Sequence, residues 1–197
     1  MNWNIPNILT WLRIALIPLF VGIYYLPKDW MAPQTVDITA AGIFLAAAVT
    51  DWFDGYLARA LNQTSAFGAF LDPVADKLMV AAALIVLVQL ARADAAIALI
   101  IVGREITISA LREWMASIGE RKSVAVSYVG KLKTASQMAA ILLLLYHGAL
   151  LPGCDAQCAG TILIYIAALL TLVSMAYYLK VAAPQIARAN ATHTARS

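Results

Sequence analysis

The chain has 197 residues, 62% of them hydrophobic and 13% charged, with a mean hydropathy of +0.78 and a formal net charge of +3. Those values exclude a soluble globular domain of this length and point to a polytopic membrane protein. The small positive balance suits a surface facing anionic lipid and gives no basis for a nucleic-acid partner.

Apolar runs long enough to cross a bilayer core recur at about residues 7–26, 36–60, 66–90, 95–118, 134–151 and 159–183. They are rich in Ala, Leu and Ile and lack a period of two, so a β-barrel is excluded and helices are predicted. No internal repeat of fixed period is present, which leaves an inverted-repeat transporter without support. The predicted fold class is all-α: one membrane domain over 1–183 with six transmembrane helices, then a small polar stretch, 184–197, read as a disordered tail.

The first run contains Arg13 and lacks a basic leader or a small-residue cleavage site, so it is expected to be a retained helix. The second and third runs hold four aspartates, Asp51, Asp54, Asp72 and Asp76, in Asp51-Trp-Phe-Asp54-Gly55-Tyr-Leu-Ala58-Arg59 and Gly68-Ala-Phe-Leu-Asp72-Pro-Val-Ala-Asp76. Carboxylates at membrane depth are costly unless paired, solvated or metal-bound, so the group reads as a functional site. The short polar link Leu61 to Ser65 predicts an antiparallel hairpin. The aspartates then fall at two matched depths, roughly 9 and 14 Å inside the boundary at about 1.5 Å per residue. At 100° per residue, Asp51, Asp54, Gly55, Ala58 and Arg59 share one stripe, while Gly68, Asp72 and Asp76 share another that should face it. Oxygen-only ligands of this kind favour Mg²⁺, Mn²⁺ or Ca²⁺ over zinc, and two ions would balance the charge. Gly55, Ala58 and Gly68 are small enough for an anionic headgroup to approach the backbone, with Arg59 to hold it. An ion relay is the competing reading of buried acids, but a relay does not require this fixed spacing.

In the fourth run, Arg104 and Arg112 lie eight residues apart on roughly one helix face, with Glu105 and Ser109 nearby; Lys131 and Lys133 open the fifth. These four cations are predicted to bind a phosphate, the lysines alternatively anchoring helix ends by snorkelling. Arg104 lies roughly 20 Å from its helix end, too deep to snorkel, and is expected to pair with Glu105, the aspartates or substrate. Basic residues concentrate in the fourth-to-fifth loop and at the C-terminal end, so both termini are predicted to be cytoplasmic. Cys154 and Cys158 are read as bystander thiols, His147 and His193 as isolated, and Tyr24, Tyr25, Trp30, Tyr177 and Tyr178 as interfacial belts.

The pattern D-x2-D-G-x2-A-R-x8-G-x3-D-x3-D is met at every fixed position and resembles the signature of the CDP-alcohol phosphatidyltransferase family. Asn4 to Thr10, Arg104 to Trp114 and Gly130 to Thr134 resemble its bacterial branch that uses glycerol 3-phosphate, and the likeness runs from about residue 4 to 180. The resemblance implies that Asp51, Asp54 and Asp72 bind two Mg²⁺ or Mn²⁺ ions, with Asp76 completing the site and acting as general base. It implies contacts to CDP-diacylglycerol from Gly55, Arg59 and Gly68, and by analogy from Asn7, Thr10 and Ser65. It further implies a homodimer in the bacterial inner (cytoplasmic) membrane, with the active site facing the cytoplasm. Sister enzymes of the family use inositol phosphate, serine or other alcohols, so the acceptor is decided by Arg104, Arg112, Lys131 and Lys133 rather than by the aspartates.

Overall fold

A computed structural model describes residues 5–61, 66–117, 128–151 and 154–194, with side chains from residue 8 onward except at 52, 54–61, 66, 67, 69, 70, 128, 129, 151, 154, 181 and 185–194. Among them run α1 (Ile5–Gly22, continued by a 3-10 turn at Ile23–Tyr25), α2 (Pro33–Leu61), α3 (Ala66–Gln89), α4 (Ala95–Ser117), α5 (Tyr128–Tyr146) and α6 (Ala156–Thr194). Two short strands, β1 (Ala149–Leu151) and β2 (Cys154–Asp155), pair antiparallel between α5 and α6. Among the described residues, three helical segments are long and apolar enough to cross a membrane by length and composition: Ile8–Tyr25, Pro33–Asp51 and Ala156–Pro184.

Local chemistry accounts for the helix boundaries. Pro33 opens α2 at the first helical position, where its missing N–H costs nothing. α3 ends in a Schellman motif: Ala91 takes φ 56°, its N–H donates to the Val88 carbonyl, and the Arg92 N–H donates to the Leu87 carbonyl. Asp94 then caps α4, its carboxylate accepting the Ala96 N–H at 2.7 Å. α5 stops at His147, φ 48°, whose N–H donates to the Leu143 carbonyl in an αL cap. That cap explains why α5 ends before the apolar run does, since residues 149–151 leave the helix to pair with β2. At the other end, α6 continues past Pro184 to Thr194 where a disordered tail was expected; Ala183, Ala187, Ala189 and Ala191 are strong helix formers, which sustains the helix.

The core is built from Phe20 of α1, Phe44 of α2, Leu84 and Leu87 of α3, Ile101 of α4, Ile141, Leu144 and Leu145 of α5, and Ile164 of α6. α5 and α6 form the most extensive helix pair. They approach so closely that a Cβ on Gly160 would lie 2.8 Å from Leu144 Cγ. α1 packs against both α2 and α3, more extensively than those two pack on each other. The expected hairpin therefore carries α1 as a third helix beside its two acidic stripes, and that decides what the aspartates touch.

Candidate active site

Two polar centres lie within the helices. The first is acidic. Asp51 of α2 and Asp76 of α3 line one cavity together with Arg13 of α1, Phe44, Met79 and Met138. Arg13 is 1% exposed, and its Nη1 lies 2.7 Å from Asp51 Oδ1, while the Asp51 side chain is 45% exposed and open on its other side. One turn earlier on α1, the Thr10 hydroxyl donates to Asp72 Oδ1. Thr10 and Arg13 are three residues apart on α1 and so share a face, which gives one partner to the carboxylate of α2 and one to that of α3. Asp76 also lies within the electrostatic reach of Glu105, so the acidic centre borders the second one.

The second centre is basic. Arg104 of α4 is 8% exposed; its Nη1 lies 3.3 Å from Glu105 Oε1 and its Nη2 donates to Ser174 Oγ of α6 at 3.1 Å. Lys133 of α5, 3% exposed, donates its ammonium to the same Glu105 oxygen. Arg112 donates Nη2 to the Tyr178 hydroxyl at 3.1 Å. Both guanidiniums sit over the Tyr178 ring, at 5.5 Å for Arg104 and 5.4 Å for Arg112, a cation–π arrangement on a residue 2% exposed. Arg104 and Lys133 share the Glu105 carboxylate while Arg112 lies against the same ring as Arg104, so the three cations exceed that single negative charge. Arg104 Nε and, on the neighbouring helices, Gln137 Oε1 and Thr171 Oγ1 are buried with no hydrogen-bond partner among the described residues. A buried N–H without an acceptor is costly, so Arg104 Nε is a donor suited to an anionic ligand.

The structure brings Arg104, Arg112 and Lys133 into one network, and it leaves Lys131, the fourth cation expected there, exposed and outside it. The reason is helical phase: residues two apart on α5 point to different faces. Of the four aspartates, Asp51 and Asp76 share a cavity and Asp72 is tied to α1. The side chains of Asn7, Asp54, Ala58 and Arg59 lie outside the described ones; Gly55 falls within α2, and Ser65 lies outside the described residues. Gly68 is buried in α3. Among the described residues no three of His, Cys, Asp and Glu converge as a group ready to hold a metal. The donors that are described still suit a hard divalent cation, because Asp51 and Asp76 present carboxylate oxygens to one cavity.

Two residues escaped the sequence reading. Arg13 was available to it by the same rule that singled out the aspartates, an ionisable side chain within an apolar run. Tyr178 was read as part of an interfacial belt, whereas it is buried beneath two guanidiniums. Its signal was the polar stripe Thr171, Ser174 and Tyr178, spaced three and four residues along an otherwise apolar helix. His147, read as isolated, meets Gln157 Oε1 at 3.0 Å through Nδ1.

Comparison with known proteins agrees with this chemistry. Residues 3–173 match the profile described as CDP-alcohol phosphatidyltransferase. The chain is 50% identical over 184 residues to CDP-diacylglycerol–glycerol-3-phosphate 3-phosphatidyltransferase of Escherichia coli K12, covering 92% of this chain and 96% of the relative. Proteins of the same name from Shigella sonnei and from Salmonella typhimurium LT2 are similar to the same extent, 50% identical over 184 residues, again 92% of this chain and 96% of each relative.

Proposed function

The chain belongs to the CDP-alcohol phosphatidyltransferase family, and we propose that it transfers the phosphatidyl group of CDP-diacylglycerol to sn-glycerol 3-phosphate, giving phosphatidylglycerophosphate and CMP. The relay reading of the aspartates falls with that membership. The observation that carries the acceptor is the basic centre: Arg104, Arg112 and Lys133 exceed the single negative charge of Glu105, and Arg104 Nε has no acceptor among the described residues. A phosphorylated alcohol answers that excess; serine does not. The identity to relatives named for glycerol 3-phosphate supports the same choice.

In the reaction, the acceptor's phosphate is held by Arg104, Arg112 and Lys133. Its 1-hydroxyl is thereby aimed toward the acidic centre that borders Glu105. Asp76 takes the hydroxyl proton as the oxygen attacks the lipid-side phosphorus. The bond from that phosphorus to the CMP oxygen breaks, CMP leaves with the electron pair, and the new phosphodiester stays on the lipid. Asp51, Asp54 and Asp72, completed by Asp76, would hold two Mg²⁺ or Mn²⁺ ions, whose chemistry is to neutralise the diphosphate charge. Gly55, Ala58, Arg59 and Gly68 form the CDP-lipid side of the pocket, with Asn7 and Ser65 beside it, while Thr10 orients Asp72 through its hydrogen bond. Positioning and charge neutralisation provide most of what phosphoryl transfer requires. All six helices cross the bacterial inner membrane in this reading, with cytoplasmic termini and a homodimeric assembly.

The deciding assay is purified protein in detergent with Mg²⁺ or Mn²⁺, CDP-diacylglycerol and a panel of labelled alcohols. Labelled lipid from glycerol 3-phosphate with stoichiometric CMP is expected. Transfer to serine or inositol phosphate in its place would overturn the acceptor, and no CMP from any alcohol would overturn the activity.

A further inference from the structure

Arg13 is buried in the middle of α1, yet neither the motif nor the basic centre accounts for it. It stands 2.7 Å from Asp51 and lines the same cavity as Asp51 and Asp76. The guanidinium places a positive charge inside a cluster of carboxylates. Asp51 keeps an exposed side while Arg13 covers the other. That arrangement lets a second cation approach the carboxylate without expelling the first.

We propose that Arg13 is the fixed counter-charge of the aspartate site: it positions the Asp51 carboxylate and weakens the site's hold on divalent metal. The inference rests on the metal-binding role given to the aspartates above. Arg13 is on this account a positioning residue, since it acts on metal through Asp51 and through the charge of the cavity. A unit positive charge beside a ligand repels an incoming dication. Removing that charge should therefore tighten metal binding. With Asp51 partly solvated, the expected change is about tenfold.

The test is Mn²⁺ binding to the purified, detergent-solubilised protein, read by the electron paramagnetic resonance signal of free Mn²⁺ without substrate present. Arg13→Gln should bind Mn²⁺ about tenfold more tightly than wild type, and Arg13→Lys, which keeps the charge, should stay near wild type. Equal or weaker binding by Arg13→Gln overturns the proposal, as does equal tightening by Arg13→Lys. If Arg13→Gln does not fold, Arg13→Met replaces it. Its Mn²⁺ affinity should likewise be about tenfold tighter than wild type's, and equal or weaker binding overturns the proposal. Wild-type protein that binds no Mn²⁺, or an Asp72→Asn variant that binds it as wild type does, would instead overturn the metal reading on which the proposal stands.

Discussion

Asp37→Ala should loosen the helix bundle at the end far from the aspartates, and the size of the effect follows from the contacts of one arginine. Arg92, in the turn between α3 and α4, makes two parallel bonds to Asp37 of α2: Nη1 to Oδ1 at 2.9 Å and Nη2 to Oδ2 at 2.8 Å. The side chains are 14% and 11% exposed. Nη1 also donates to the carbonyls of Leu144 and Leu145, at 3.4 and 3.2 Å, near the end of α5, and the Arg92 carbonyl accepts from Gln157 of α6 at 3.1 Å. One residue thus ties together α2, α5 and α6. Breaking a buried ion pair from one side costs about 3–5 kcal/mol. Arg92 would keep its two carbonyl acceptors, so the expected cost is nearer 2–3 kcal/mol. For a chain of this length that corresponds to a fall of about 4–12 °C in the thermal midpoint. The assay is tryptophan-fluorescence unfolding in one detergent at one heating rate, for Asp37→Ala, Arg92→Ala and the double variant. The reasoning fails if Asp37→Ala melts within about 1 °C of wild type, or if the two single effects simply add, because directly paired residues should couple.

Three further outcomes are expected. Asp76→Asn should lower kcat by a factor of about 100 or more, the usual contribution of a general base, with folding and most Mn²⁺ binding kept; near-normal turnover would remove Asp76 from that role. Arg112→Ala should raise the KM for glycerol 3-phosphate about tenfold, the worth of one charge-assisted hydrogen bond, and leave the KM for CDP-diacylglycerol unchanged; steady-state kinetics with each substrate varied in turn decides it. Ala91→Gly should stabilise the protein by about 0.5–1 kcal/mol, because glycine takes the left-handed conformation at φ 56° without the strain alanine bears; a lower thermal midpoint would count against it.

Much of the site was legible because the membrane makes charged residues rare and expensive. An aspartate or arginine inside an apolar run stands out whatever the fold, and Asp51, Asp72, Asp76 and Arg104 were found on that ground. Helical period then placed Arg104 and Arg112 on one face, and the structure sets both over one ring. The same period should have set Lys131 apart from Lys133, which lies two residues along the helix. What periodicity does not encode is which helix a face meets. Tyr178 looks interfacial as a tyrosine near a helix end and becomes a buried support only once α6 is packed on α4.

The sequence by itself determined the apolar helices, the family and the chemistry of the two charged stripes, since hydropathy, spacing and residue type act locally along the chain. The tertiary structure decided what each charge touches: α1 against both acidic helices, Arg13 on Asp51, Thr10 on Asp72, Glu105 between Arg104 and Lys133, and Arg92 across to Asp37. These partners lie 28 to 62 residues apart in the chain, Arg104 and its neighbour Glu105 excepted. Such pairings depend on how helices rotate and dock, and that is settled by apolar packing across the whole bundle rather than by any segment's own pattern.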